Sequence, residues 1–175
     1  MVTILKLTVE AVKEIAAASG CTVANYNGAE QTVLSGSKEQ VDAAAKIATE
    51  KGARAIVLPV AGAYHSAFMA PAAEKLASVL ASAEIKAPVV PVLSNFTGVP
   101  HGSPDEIRQA MLAQITGSVR WTENMAWMSA HAATQFVEFG PGKVLTGLIK
   151  RAAPEAAIFN VSTAEQAQSV ASSIQ

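Results

Sequence analysis

Two β-branched runs, residues 21–26 (CTVANY) and 31–35 (QTVLS), flank the dipeptide Asn27-Gly28. Asn-Gly between two such runs is a strong turn signal, and it predicts a hairpin. The flanks of this hairpin are equally specific. Upstream, residues 2–7 (VTILKL) read as a strand. Thr8 then offers a hydroxyl cap to a helix in which Val9, Val12, Ile15 and Ala16 recur at helical spacing, and Gly20 ends it. Downstream, Ser37 stands three residues before Gln40, a capping-box pattern. A second helix runs to Gly52, and residues 53–60 (ARAIVLPV) read as a fourth strand. The order is βαββαβ, the split-βαβ or ferredoxin-like arrangement. It predicts a small subdomain over residues 1–60.

The rest of the chain follows another rhythm. Residues 66–82 carry Phe68, Met69, Ala72, Leu76, Val79 and Leu80 at helical spacing, with Pro71 near the first turn, where proline is tolerated. Residues 88–93 (PVVPVL) read as a short extended run. Ser103-Pro104 opens a helix with Asp105 and Glu106 in its first turn and Ile107, Met111, Leu112 and Ile115 along one face. Further helices are predicted over 121–131, 144–150 and 164–174, with strands at 135–139 (QFVEF) and 158–161 (IFNV) and a Gly-Pro-Gly turn between. Alternating strands and helices predict a parallel or mixed α/β sheet. Two or three strands are few for so many helices, since a parallel sheet is covered on both faces. Residues 61–175 are therefore expected to be the C-terminal part of a larger parallel-sheet α/β subdomain.

Composition narrows the function. Half of the 175 residues are hydrophobic and the formal net charge is −1, with Lys and Arg scattered. No basic run interleaves with aromatics, so a nucleic-acid role is not expected. Cys21 is the single cysteine, which excludes an intrachain disulfide and fits a reducing compartment. The apolar stretches are broken by Gly, Pro or charge before membrane-spanning length, and residues 1–7 are too short for a signal peptide. A cytoplasmic protein with no membrane segment is expected. His65, His101 and His131 are far apart, and no HxxxH or HExxH pattern places two on one helix face. Neither a metal nor a bound cofactor is predicted.

The informative segment is residues 58–69, LPVAGAYHSAFM. It places His65 where a strand turns into a helix, among small neighbours that would let a substrate approach the ring. Imidazole ordinarily titrates near neutral pH, which suits a general base. Two readings fit this segment by itself: a catalytic base, or a partly buried structural histidine.

The stretch LPVAGAYHSAFMAPAAEKL resembles the histidine segment of malonyl-CoA:acyl-carrier-protein transacylases. Its outline is shared by the acyltransferase domains of fatty-acid and polyketide synthases. Residues 24–36 (ANYNGAEQTVLSG), 91–98 (containing PVLSNFTG), 114–121 (QITGSVRW) and 138–151 (EFGPGKVLTGLIKR) resemble further family segments in the same order. The resemblance implies an α/β-hydrolase-like large subdomain beside the ferredoxin-like one. It also implies a two-step acyl transfer from malonyl-CoA, through a serine ester, to the phosphopantetheine thiol of acyl carrier protein. His65 would be the base that activates the serine and then protonates the departing thiolate. The backbone carbonyl of Gln114 would orient the ring, in the place of a triad acid.

Asn25, Asn27 and Gln31 match positions lining the acyl and pantetheine channel, although Asn27 reads equally well as a turn residue before Gly28. Arg54 matches a basic position near the substrate phosphates, or is a solvated surface arginine. The residue before it, Ala53, stands where relatives often carry a second base. The family's nucleophile sits in a GHSxG elbow, and its carboxylate-binding arginine also lies upstream of these segments. No Gly-x-Ser-x-Gly occurs here. Ser35 and Ser66 are the serines closest in context, and neither matches the elbow. The chain is therefore expected to be inactive or nearly so by itself, with an N-terminal half supplied by another segment or polypeptide. The alternative is a non-catalytic fragment that binds acyl carrier protein or pantetheine.

Overall fold

The computed structural model describes residues 1–174, and their backbone divides into two compact units, Met1–Asn124 and the stretch from Met125 onward. The first unit begins with β1 (Val2–Leu5), α1 (Val9–Ser19), β2 (Thr22–Gly28), β3 (Gln31–Ser35), α2 (Lys38–Glu50) and β4 (Arg54–Val57). Its sheet has the order β2-β3-β1-β4 with every pair antiparallel, as a ferredoxin-like unit requires.

Local chemistry accounts for the boundaries. β1 stops at Leu5, short of the expected 7, because Lys6 turns the backbone into the left-handed region at φ 71°. The Thr8 hydroxyl caps α1 by accepting from the Ala11 N–H, and Gly20 closes it at φ 74°, where a side chain would be strained. Ser37 and Gln40 form both halves of the capping box of α2. β4 ends at Val57, and Pro59 two residues on has no N–H to continue a ladder. The apolar faces of α1 and α2 close on the sheet: Val2, Ile4, Val12, Ile15, Val23, Leu34, Val41, Ala44 and Ala48 form one buried cluster. Each large aliphatic side chain so buried contributes about 1.5–3 kcal/mol.

The outer edge of β2 does not stay open. The Val119 N–H donates to the Ala24 carbonyl and the Tyr26 N–H donates to the Val119 carbonyl, both at 2.8 Å. The Ser118 hydroxyl donates to the Val23 carbonyl at 2.6 Å. A distant stretch thus adds a short parallel bridge to the sheet, Asn25 opposite Val119. The first unit also holds α3 (Ala70–Ser82) and α4 (Pro104–Thr116), which pack on each other. α3 is preceded by a single 3-10 turn at Ala67–Met69, so the helix expected from residue 66 starts as a tighter coil. Residues 88–93 form no strand. Pro88 and Pro91 remove two N–H donors, and Leu93 makes only an isolated bridge to Pro100.

α5 (Trp121–Ala130) spans the boundary between the units. The second unit contains β5 (Gln135–Phe139), α6 (Val144–Ala152), β6 (Ala157–Val161) and α7 (Ala164–Ser173). β5 and β6 pair in parallel, from Gln135 opposite Ala157 to Phe139 opposite Val161. Leu148, Ile149 and Val161 are its buried aliphatics. Among the described residues, no helix is long and apolar enough to cross a membrane.

Candidate active site around His65

His65 follows β4 and precedes the 3-10 turn that leads into α3. Its backbone has φ 58°, in the left-handed region that a non-glycine residue occupies at a cost of about 1–3 kcal/mol. Such a conformation persists only where the surroundings hold it, and here the ring is held. Nδ1 lies 3.1 Å from the carbonyl oxygen of Gln114 and 3.1 Å from that of Gly117. Gln114 is in the last turn of α4, two residues before Thr116, so its carbonyl has no partner along the helix and is free to accept. Two carbonyls facing one nitrogen require Nδ1 to carry the proton. The lone pair then resides on Nε2, which no protein group engages among the described residues.

Gly117 is set by contact rather than by backbone angle. A Cβ at this position would lie 2.5 Å from the Phe96 ring and 2.8 Å from the Ala113 carbonyl oxygen. The Gln114 side chain also takes part: its Nε2 donates to the Gly117 carbonyl at 2.9 Å. Gly117 and Ser118, absent from the sequence-based set of site residues, therefore sit at the centre of the arrangement. Their segment, QITGSVRW, is conspicuous in the sequence, but nothing local to it reveals which atoms face the histidine.

The remaining sequence-predicted residues fall in two places. Asn25 and Asn27 lie on β2, the strand that Val119 joins, so this strand is hydrogen-bonded to the stretch that begins at Gly117. Gln31 opens β3 opposite Gly28 and Leu5. Arg54 is exposed on β4, at the other edge of the sheet, three strand spacings or about 14 Å from β2. The structure thus brings His65 together with Gln114 and leaves Arg54 on a separate edge. Neither candidate serine is bonded to the imidazole. Ser66 is buried and its hydroxyl donates to the Ala63 carbonyl at 2.5 Å. Ser35 is fully buried in β3, and its hydroxyl has no hydrogen-bond partner among the described residues.

Elsewhere, polar clusters serve the fold. In the second unit Glu138 accepts from the Thr146 hydroxyl (2.6 Å), the Thr146 and Leu145 N–H groups (2.8 and 3.0 Å) and the Asn160 amide (3.0 Å). The Thr146 hydroxyl above all, with these N–H donors, holds the carboxyl below its ordinary 4.5. An open groove of about 500 Å³ runs beside Lys143, Asn160, Ser162 and Gln166. Three of its polar side chains are committed to the fold: Asn160 to Glu138, Ser162 to the Gly140 carbonyl, and Gln166 to the Ser162 N–H. Burial pushes the Cys21 thiol up, so it stays protonated at neutral pH.

No family model matches the chain. Individual proteins do. The chain is 42% identical over 139 residues to the malonyl CoA-acyl carrier protein transacylase of Synechocystis, covering 79% of this chain and 47% of that protein. It superposes on the crystal structure of acyl-carrier-protein-S-malonyltransferase from Bartonella henselae with TM-score 0.90 and 36% identity, covering 98% of this chain and 57% of that one. It also superposes on a malonyl-transacylase solved with its type II PKS acyl-carrier protein, with TM-score 0.87 and 36% identity over 98% of this chain and 57% of that one. The matched proteins are transacylases and malonyltransferases by name, and this chain shares the mixed helix-and-sheet fold of that class. More particularly, the chain is homologous to the malonyl-CoA:acyl-carrier-protein transacylases and corresponds to their C-terminal portion. It spans about half the length of the curated relatives it matches.

Proposed function

We propose that this chain takes part in transfer of a malonyl group from coenzyme A to the phosphopantetheine thiol of acyl carrier protein, in fatty-acid or polyketide synthesis, and that His65 is its general base. The observation that carries this reading is the double carbonyl clamp on Nδ1, which leaves an unengaged lone pair on Nε2. A base so prepared removes the proton of a serine hydroxyl as its oxygen attacks the thioester carbonyl. The tetrahedral intermediate collapses, the C–S bond breaks, and the Nε2 proton passes to the coenzyme A sulfur. In the second half the pantetheine thiol gives its proton to Nε2 and attacks the serine ester, and the proton returns to the serine oxygen. In each half the two carbonyls keep the Nδ1 proton in place. Gln114 acts through its backbone carbonyl. Asn25, Asn27 and Gln31 line the path of the acyl and pantetheine groups, and Arg54 meets a phosphate at the sheet edge. Residues 1–60 act as the small subdomain and 61–175 as part of the large one.

The serine comes from outside this chain's own segments. Ser66 spends its hydroxyl on Ala63, Ser35 is sealed in the sheet, and no elbow motif occurs in the sequence. An N-terminal half supplying that serine, and the arginine for the malonyl carboxylate, also accounts for exposed apolar side chains such as Val57 (58%), Phe68 (60%), Val79 (62%) and Val89 (100%). Intact-mass spectrometry after incubation with malonyl-CoA tests this division. The pure chain should acquire no malonyl adduct. Adding an N-terminal half that carries GHSxG should produce one, on that half, and His65→Ala should abolish it. An adduct on the pure chain would place the nucleophile here and overturn the division. Binding of acyl carrier protein with no adduct in any combination would favour a non-catalytic binding fragment.

A further inference from the structure

We infer that the side chain of Gln114, and not its carbonyl alone, positions the catalytic base, by fixing the Gly117 carbonyl as a second acceptor for the His65 Nδ1 proton. This rests on the reading of His65 as the base and adds a role to a side chain which that reading leaves idle.

The geometry is a closed triangle. His65 Nδ1 to the Gly117 oxygen is 3.1 Å, the Gln114 Nε2 to the same oxygen is 2.9 Å, and the two nitrogens are 3.3 Å apart. The Gly117 oxygen has two lone pairs and accepts one proton from each nitrogen. The two nitrogens therefore act as parallel donors to one oxygen. Turned over, the amide would set its oxygen 2.9 Å from the Gly117 oxygen with no proton between them, so the orientation that engages Gly117 is the one with Nε2 as donor. The Gln114 Oε1 is itself buried without a partner, so no bond at that end orients the amide. The side chain is anchored through Nε2 at the cost of a desolvated acceptor, which is an expensive arrangement for a residue with no positional task.

Gly117 needs such an anchor. It lies just past the end of α4, its φ is −97° and ψ 157°, and its carbonyl is not part of any regular ladder. The Phe96 ring packs where its Cβ would be and limits it from one side. The Gln114 amide limits the carbonyl from the other. The next residue is tied to β2 by the Ser118 hydroxyl. With Gly117 held, the Nδ1 proton is shared between two carbonyls in different directions, which fixes the plane of the ring as well as its tautomer. One acceptor alone would leave the ring free to swing about a single hydrogen bond.

The test reads the Nδ1 proton directly by NMR on the 15N-labelled chain at low temperature. His65→Gln assigns the signal, and His101 and His131 serve as internal controls. In the unaltered chain the proton should be on Nδ1 and slow to exchange with water. In Gln114→Met, which keeps the volume and removes the donor, the carbonyl clamp loosens. Exchange of that proton should then speed up by about fivefold or more, the size of one net hydrogen bond. The His101 and His131 signals should not move. If Met disturbs those controls, Gln114→Ala replaces it. Unchanged exchange in the variant, with the proton still on Nδ1, overturns the role of the side chain and leaves His65 standing as the base. A proton found on Nε2 in the unaltered chain overturns both.

Discussion

His65 carries the whole proposed chemistry of the chain in a backbone conformation that glycine adopts far more readily, φ 58°. That strain predicts an inversion of the usual order of substitutions. His65→Gly should be more stable than His65→Ala by about 1–2 kcal/mol, read from urea midpoints, because only the alanine retains a Cβ in the left-handed region. Equal stability would mean that the backbone relaxes once the ring is gone. A second residue-level prediction concerns Glu138. Its folded-state titration lies below the ordinary 4.5, first through the Thr146 hydroxyl. The stability it contributes is therefore complete above the unfolded-state value of about 4.3 and is lost as pH falls through the lower, folded-state value. Glu138→Gln should remove that dependence, so the gap in thermal midpoint between the two proteins should narrow as pH falls from 6 toward about 3.

At the scale of elements, the stretch from Gln114 to Arg120 links three structures. Gln114 lies in the last turn of α4, Gly117 faces the histidine, and Val119 extends the ferredoxin-like sheet. The Arg120 N–H continues the chain of contacts by donating to the Asn95 carbonyl at 2.7 Å. Gly117→Ala tests how tightly this strap is packed. Its methyl group would enter the space of the Phe96 ring, so we expect a loss of about 1–3 kcal/mol, the usual cost of overpacking. Phe96→Leu in the same chain should restore part of it. A Gly117→Ala variant as stable as the parent would show that the ring moves aside freely.

For the molecule as a whole, burial is uneven. The buried cluster belongs to β1, β2, β3, α1 and α2, whereas β4 exposes Val57 and the later helices expose Phe68, Val79 and Met111. Side chains of this kind in contact with water favour association. Sedimentation velocity over a range of concentrations should show self-association of the isolated chain, and addition of an N-terminal half carrying GHSxG should replace that with a defined heterodimer. A strictly monomeric chain at all concentrations would count against an unfilled interface.

The ferredoxin-like unit was legible in the sequence because its signals are local. Asn27-Gly28 makes the hairpin, Thr8 and Ser37 start the helices, and Gly20 and Gly52 follow them, each within a few residues of the element it bounds. The parallel pair β5 and β6 was legible from the same alternation. The run at 88–93 pairs only through an isolated bridge, and apolar composition says nothing about the donors that Pro88 and Pro91 remove. His65 and the Gln114 carbonyl entered through resemblance to a family, not through any spacing in the chain. The partnership itself is tertiary: the imidazole meets carbonyls 49 and 52 residues away, and only the packing of α4 beside the turn that follows His65 decides that they face one nitrogen. Backbone carbonyls carry no side-chain identity, so a clamp made of them leaves no letter in the sequence, and Gly117 and the Gln114 amide could be given roles only once the fold had brought them to the ring.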